Sequence, residues 1–289
     1  MRLGIVTCDK CPTLIASEKP FIPLFRAMNI DAKPVIWNDP AVHWPDYDAL
    51  LVRSIWDYHL HPDQFLAWLD RLESLRLPVW NPIDVLRWNH HKFYLRDLAQ
   101  RGVAIAPTLF FRSDDAGALQ HAQANGWTDT VIKPAVSASG YRTHRFALMS
   151  EEAGRHFEEA ARHGDYLVQP FLSGISDRGE VSLIFFNEKY SHAVLKKPRE
   201  GEFRVQAEHG GREVPYTPDM SVIRAGETIL EKTGFPTLYA RVDGLVDGQQ
   251  FLLMELELIE PDLFLETSPG SVERLARGLA GRLRPSASS

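Results

Sequence analysis

Residues 251–261 read FLLMELELIEP, a run apolar enough for a buried strand that nevertheless carries Glu255 and Glu257 two positions apart. Side chains two apart in a strand share a face, so both carboxylates emerge on one side. Burying two like charges together is costly unless something positive lies between them, and a divalent cation with oxygen ligands is the usual remedy. Just upstream, YARVDGLV (239–246) reads as the preceding strand, joined by a short Asp-Gly turn, and offers Asp243 as a third oxygen donor. Three carboxylates converging across a hairpin suit Mg²⁺ or Mn²⁺, hard cations that keep waters and bind substrate phosphates. The same spacing also fits a salt-bridged strand pair in which Arg241 and lysines neutralise the acids.

A metal that works with phosphate calls for a nucleotide pocket, yet the chain contains neither G-x-x-x-x-G-K-[ST] nor G-x-G-x-x-G. It offers instead two well-separated lysines, Lys92 and Lys133. The second sits in VIKPAVSASG (131–140), where a strand ends at Pro134 and a small-residue loop follows, Ser137, Ala138, Ser139 and Gly140. Such a loop lets backbone N–H groups approach phosphate oxygens while lysine supplies a movable charge. Taken alone, the stretch reads equally well as a strand ending in a solvated turn.

Working outward, the chain alternates short apolar runs with amphipathic ones. RLGIVT, AKPVIW, ALLVRS and PVWN read as strands, and residues 20–28 and PDQFLAWLDRLESL as helices, which predicts a small parallel α/β domain at the start. VLRWNHHKFYLRDLAQRG reads as one helix stopped by Arg101-Gly102. EVSLIFF and YSHAVLKK read as paired strands around a tight NEK turn, and SVERLARGLAGRL as a last helix before a frayed tail, PSASS. At 289 residues the chain exceeds what one simple core usually holds, so two or three closely packed lobes are expected.

Net charge is −6, which excludes a nucleic-acid binder working through bulk positive charge; any phosphate site must be local. The opening MRLGIVTCDK has too short an apolar run for a signal peptide, and no stretch approaches the ~20 apolar residues of a membrane span. A cytoplasmic protein with no membrane or nucleic-acid partner is expected. Cys8 and Cys11 form a C-x-x-C, but with no other cysteine a Cys-rich zinc site is impossible and ordinary loop thiols are the plainer reading.

In this order the parts resemble the ATP-grasp superfamily of carboxylate-amine ligases, particularly its glutathione-synthetase-like branch, over roughly residues 88–284. WNHHKFYLRDLAQRGVAIAPT resembles the helix bearing the first ATP-contacting lysine, Lys92, and VIKPAVSASG the second, Lys133, with its phosphate-covering loop. YLVQPFL is similar to the hinge along adenine, which implicates Gln169, Pro170, Phe171 and Leu172. Glu180 falls where relatives place an acid on the ribose, with Asp177 as a less favoured substitute. GEFRVQAEHGG matches the segment whose arginine, here Arg204, meets phosphate or substrate, and Asp243, Glu255 and Glu257 fall on the metal positions. Glutathione synthetases carry asparagine where this chain has Glu257.

The resemblance implies an α/β protein of ATP-grasp architecture. An N-terminal α/β domain (1–90) would hold substrate, a central lid lobe (91–169) would cover the nucleotide, and a C-terminal lobe (170–289) would hold the metal. It implies ATP and Mg²⁺ (or Mn²⁺), a small amino-acid-like substrate, and a chain that acts alone or as a homodimer. A small carboxylate or carbonyl-type substrate would be phosphorylated and the intermediate attacked by an amine of the same or another molecule, with Lys133, Arg204 and Arg241 neutralising the shifting charge. Two other uses of such a pocket stand beside it: a kinase with a stable phosphorylated product, and a nucleotide-binding domain without turnover. VRSIWDY (52–58) resembles the RS-x-WDY stretch of a subgroup that includes O-ureido-serine cyclo-ligases. There Arg53 could hold a carboxylate and Asp57 an ammonium between Trp56 and Tyr58, or Arg53 and Asp57 could simply pair with each other. Scattered histidines (His43, His59, His61, His90 and His91) read as surface or satisfied groups, and His192, on a strand of the nucleotide lobe, could approach phosphate but is not a favoured site residue.

Overall fold

The computed structural model describes residues 1–199, 204, 210–248 and 250–283, and its sheets follow the strand patterning closely. The frayed tail expected at 285–289 lies outside the described residues. The first sheet is parallel, in the order β2 (Asp31–Ile36), β1 (Arg2–Thr7), β3 (Ala49–Ser54), β4 (Val79–Trp80). Helices α1 (Phe21–Ala27) and α2 (Pro62–Ser74) cover it, and β3 is buried along its whole length, as a parallel strand covered on both faces should be.

The second sheet is antiparallel, in the order β5 (Leu109–Phe111), β8 (Tyr166–Pro170), β6 (Asp129–Pro134), β7 (His144–Ala147), with α5 (Ala118–Gln123) and α6 (Ala153–Arg162). The third, also antiparallel, runs β11 (Arg212–Tyr216), β10 (Lys189–Lys197), β9 (Glu180–Phe186), β12 (Tyr239–Asp247), β13 (Gln250–Glu257). The expected NEK turn joins β9 to β10, with Asn187 and Glu188 both at positive φ, the backbone a tight hairpin requires.

The helix expected over 85–102 is two helices, α3 (Ile83–Asn89) and α4 (Tyr94–Gln100), separated by a turn that carries Lys92. The break is stabilised from outside: the Lys92 amide donates to Ala135 O at 2.7 Å. Both helices pack on the third sheet, where Val85, Tyr94, Leu95 and Leu98 share a core with Leu183, Val222 of α8 (Met220–Thr233) and Leu256. They also cover the exposed edge of β13. Asn89 Nδ2 donates to Leu256 O, its Oδ1 accepts from Leu258 N, and Tyr94 OH accepts from Leu256 N.

The last helix, α9 (Ser271–Leu283), joins the N-terminal domain to this lobe, packing Leu275, Ala276 and Leu279 against Leu3, Phe21 and Phe25. Asn81, fully buried, adds a polar link by donating to Tyr239 O and Leu258 O and accepting from Leu238 N. One face of the third sheet is thus divided. Ile184, Phe186, Val194 and Tyr239 pack under α9, whereas Glu180, Lys196 and Arg241 on the same strands line a cleft.

Candidate functional site

The cleft lies between the second and third sheets, has a volume of about 270 Å³, and is closed at one end by the N-terminal domain. Its floor owes its charge to an irregularity in β13. Phe251 and Leu253 face the core, and so do Leu256 and Leu258, a change of phase that strict alternation forbids. Asp243 pairs with Glu255 but Gly244 pairs with Leu253, so Met254 is an extra residue, a bulge. Opposite the bulge only glycine fits at position 244, because a Cβ there would collide with the Phe251 ring and lie 2.5 Å from Leu252 O. The bulge turns Glu255 and Glu257 to the cleft instead of the core.

Across the strands the charges are paired. Lys196 Nζ lies 2.5 Å from Glu180 Oε1 and 2.8 Å from Asp243 Oδ2, and Ser182 Oγ donates to Asp243 Oδ1 at 2.6 Å. Arg241 Nε donates to both Asp243 oxygens at 3.1 Å, and its guanidinium also pairs with Glu257. Lys92 Nζ donates to Glu255 Oε1 at 2.5 Å and to Ser137 O at 2.9 Å, tying the small-residue loop to the floor. The salt-bridged arrangement therefore exists: Asp243 is 2% exposed, both its oxygens are engaged, and it does not line the cleft.

Burial pushes the Asp243 carboxyl up, but Arg241 and Lys196 more than offset this and hold it at about 2. Burial, reinforced by Glu255 and Asp243 against the pull of Arg241, pushes Glu257 up to about 7. Glu255 is kept low despite burial by Lys92 and Lys133. Lys133 itself is lowered by burial, with Lys92 repelling it. The floor thus carries acids in want of more positive charge. Glu255 and Glu257, half-buried and oxygen-bearing, fit a hard divalent cation. Among the described residues no group of three His, Cys, Asp or Glu forms a ready metal cage. Mg²⁺ characteristically needs none, being held by one or two carboxylates plus substrate phosphates.

The roof comes from β6 and its loop. Thr130 and Ile132 point away from the cleft, while Val131 and Lys133 line it, the alternation that VIKPAVSASG predicts. Ser137, Ser139 and Gly140 line it too, and Ser139 and Gly140 are both left-handed (φ 49° and 66°). Gln169, Pro170, Phe171 and Leu172 form the adjoining wall, but the Gln169 amide donates to Thr108 Oγ1 at 2.8 Å and so is held within its own sheet. The Arg145 guanidinium lies 3.4 Å from the centroid of the Phe171 ring. Arg204 lines the cleft; residues 201–203 and 205–209 of its segment lie outside the described residues.

At the N-terminal end, Trp56 and Tyr58 line the cleft as expected, whereas Arg53 and Asp57 do not. Arg53, 1% exposed, donates to Glu18 Oε1 and Pro261 O, and Asp57 accepts from Trp37 Nε1 at 2.7 Å. Each is thus held by other partners, and the two do not pair with each other. His192 is also structural, its Nε2 2.9 Å from Leu263 O. Cys8 and Cys11 are free thiols with Sγ atoms 3.6 Å apart, outside the cleft.

Lys196 and Glu260, both lining the cleft, were not singled out from the sequence. Lys196 had a signal, because it is in phase with His192 and Val194 in an otherwise apolar strand. Glu260 had a weaker one, the third acid of ELELIE, masked by the strand's end.

Known proteins resemble this chain in sequence and in fold. Residues 3–81 match the family model described as D-cycloserine synthetase DcsG, N-terminal domain. Along most of its length the chain is similar to the cycloserine biosynthesis protein DcsG of Streptomyces lavendulae. The two are 28% identical over 281 residues, 92% of this chain and 93% of that one. The crystal structure of D-cycloserine synthetase DcsG superposes with a TM-score of 0.89 at 25% identity, covering 98% of this chain and 100% of that one. The D-alanine–D-alanine ligase of Bacillus anthracis in complex with ATP shares the fold, with a TM-score of 0.68 at 14% identity and 98% coverage of both chains. Among the described residues no helix is long and apolar enough to cross a membrane.

Proposed function

We propose that this chain, an ATP-dependent carboxylate-amine ligase of ATP-grasp type, is a cyclo-ligase acting on an O-ureido-serine-like amino acid. The observation that carries this reading is similarity from end to end, including the substrate-facing N-terminal domain, to a cycloserine synthetase. The substrate carboxylate accepts the ATP γ-phosphoryl group, and a nitrogen of the same molecule attacks the acyl phosphate. The new C–N bond closes the ring as the C–O bond to phosphate breaks, leaving ADP and free phosphate.

Lys92 and Lys133 neutralise the phosphates from the floor and roof of the cleft. Arg241 and Arg204 stand beside them against the charge that shifts during transfer. Pro170 to Leu172 supply backbone groups along the adenine and Glu180 meets the ribose. Glu255 and Glu257 are the residues that would hold Mg²⁺ or Mn²⁺, with Asp243 joining them only on release from Lys196 and Arg241. The cation would screen the phosphate oxygens. The loop of Ser137 to Gly140, anchored through Lys92, would cover the phosphates and keep water from the acyl phosphate. In this reading 1–90 is the substrate domain, 91–169 the lid lobe and 170–289 the metal-bearing lobe, in a cytoplasmic enzyme.

Incubation with ATP, Mg²⁺ and O-ureido-serine tests it, with ADP, free phosphate and cyclic product quantified together. Equal yields of all three are expected. A stable phosphorylated product without free phosphate identifies a kinase, and ATP binding with no turnover identifies a binding domain.

A further inference from the structure

Leaving β13, the chain passes beneath the loop 54–58 of the N-terminal domain and sets Glu260 on the cleft wall. Its backbone is held there: Trp56 Nε1 donates to Glu260 O at 2.9 Å, and Arg53 donates to the next carbonyl, Pro261 O, at 2.8 Å. The Glu260 side chain is another matter. The residue is 8% exposed with its carboxylate oxygens open to the cleft, and among the described residues no hydrogen-bond donor or ion-pair partner meets them. Nearby cations are already engaged, Lys92 with Glu255 and Ser137 O, Arg241 with Asp243, Glu257 and Asp262 O. Trp56 and Tyr58 wall the same end of the cleft.

Holding such a carboxylate ionised beside other acids costs several kcal/mol, so it keeps its proton unless a cation joins it. Aromatic faces at the same place favour an organic cation over a strongly hydrated metal ion. We propose that Glu260, with Trp56 and Tyr58, is the recognition site for a primary ammonium group of the substrate. Only the choice of an amino-acid-like substrate rests on the ligase reading above. The ammonium is held at the N-terminal end, while the phosphate-handling lysines occupy the other walls of the same cavity. The site therefore selects substrates whose amine is free.

The test is calorimetric binding, to wild type and Glu260→Gln, of cycloserine, serine and alanine, each with a free and an N-acetylated amine. Binding of a non-hydrolysable ATP analogue reports the fold of both proteins. Wild type is expected to prefer at least one free-amine probe over its acetylated form by tenfold or more. Glu260→Gln should remove that preference while binding the ATP analogue unchanged. Absence of any free-amine preference in wild type, or its survival in Glu260→Gln, overturns the proposal. So does a variant that loses Mn²⁺ affinity and keeps the amine preference, since the carboxylate then belongs to a cation site. A free-amine preference lost in Glu260→Gln without phosphate release from ATP leaves this site standing and retires the cyclo-ligase. Phosphate release with the preference intact does the reverse.

Discussion

β3 and β13 look alike on paper: each is an apolar strand with charged residues near its C-terminal end, and each contains a bulge. In β13 the extra residue is Met254, and the shift turns Glu255 and Glu257 into the cleft. In β3 the register passes from Val52 to Ser54, so Arg53 is the extra residue, and it stays inside the protein on Glu18 and above the Tyr239 ring. The difference lies in what each strand faces: β13 borders a cavity, whereas β3 is covered on both sides. A charge at a strand end is thus a ligand group or a structural bolt according to the layer above it.

The sharpest way to break the comparison is Glu255→Gln. It should lower turnover by about a thousandfold or more, the scale of losing a central electrostatic group, with an unchanged circular dichroism spectrum. Near-normal turnover would remove β13 from the chemistry.

On the other strand, Arg53→Ala should cost about 3–5 kcal/mol of stability, because Glu18 is then a buried unpaired charge. Chemical denaturation measures this, and KM for the amino-acid substrate should stay within about twofold in protein that remains folded. A large KM change with little destabilisation would restore Arg53 as a substrate ligand. Lys133→Ala, which removes a charge but no structural pair, should raise KM for ATP by roughly ten- to a hundredfold, the value of one charge-assisted contact.

The smallest effects concern the acids' protonation. Burial, then repulsion from Glu257, pushes the Glu260 carboxyl up to about 8, above its value in the unfolded chain. The stability linked to it is therefore fully present at acid pH and lost as pH rises through about 8. Metal-free wild type should lose several degrees of melting temperature between about pH 5 and about pH 9, and Glu260→Gln should lose less. Equal slopes would mean that Glu260 is not the strained group.

Much of this was legible without coordinates. Alternation gave the strands, Lys133 faces the cleft in the phase VIKPAVSASG predicts, and Glu255 and Glu257 share a face as their spacing requires. These are local properties, set by the two-residue repeat of an extended chain. The partners of Arg53 and Asp57, Glu18 and Trp37, were not legible because they are distant in sequence and carry no pattern that ties them together.

Local pattern alone fixes which segments are strands, which residue types are available for phosphate and metal, and the order of the parts. Packing between strands settles which face of β13 meets the cleft, through a bulge opposite Gly244 on the neighbouring strand. It alone committed Asp243 to Lys196 and Arg241, and left Glu260 buried without a cation. Each of these depends on the charges and space supplied by other strands, and electrostatic pairing acts through distance in space, not along the chain.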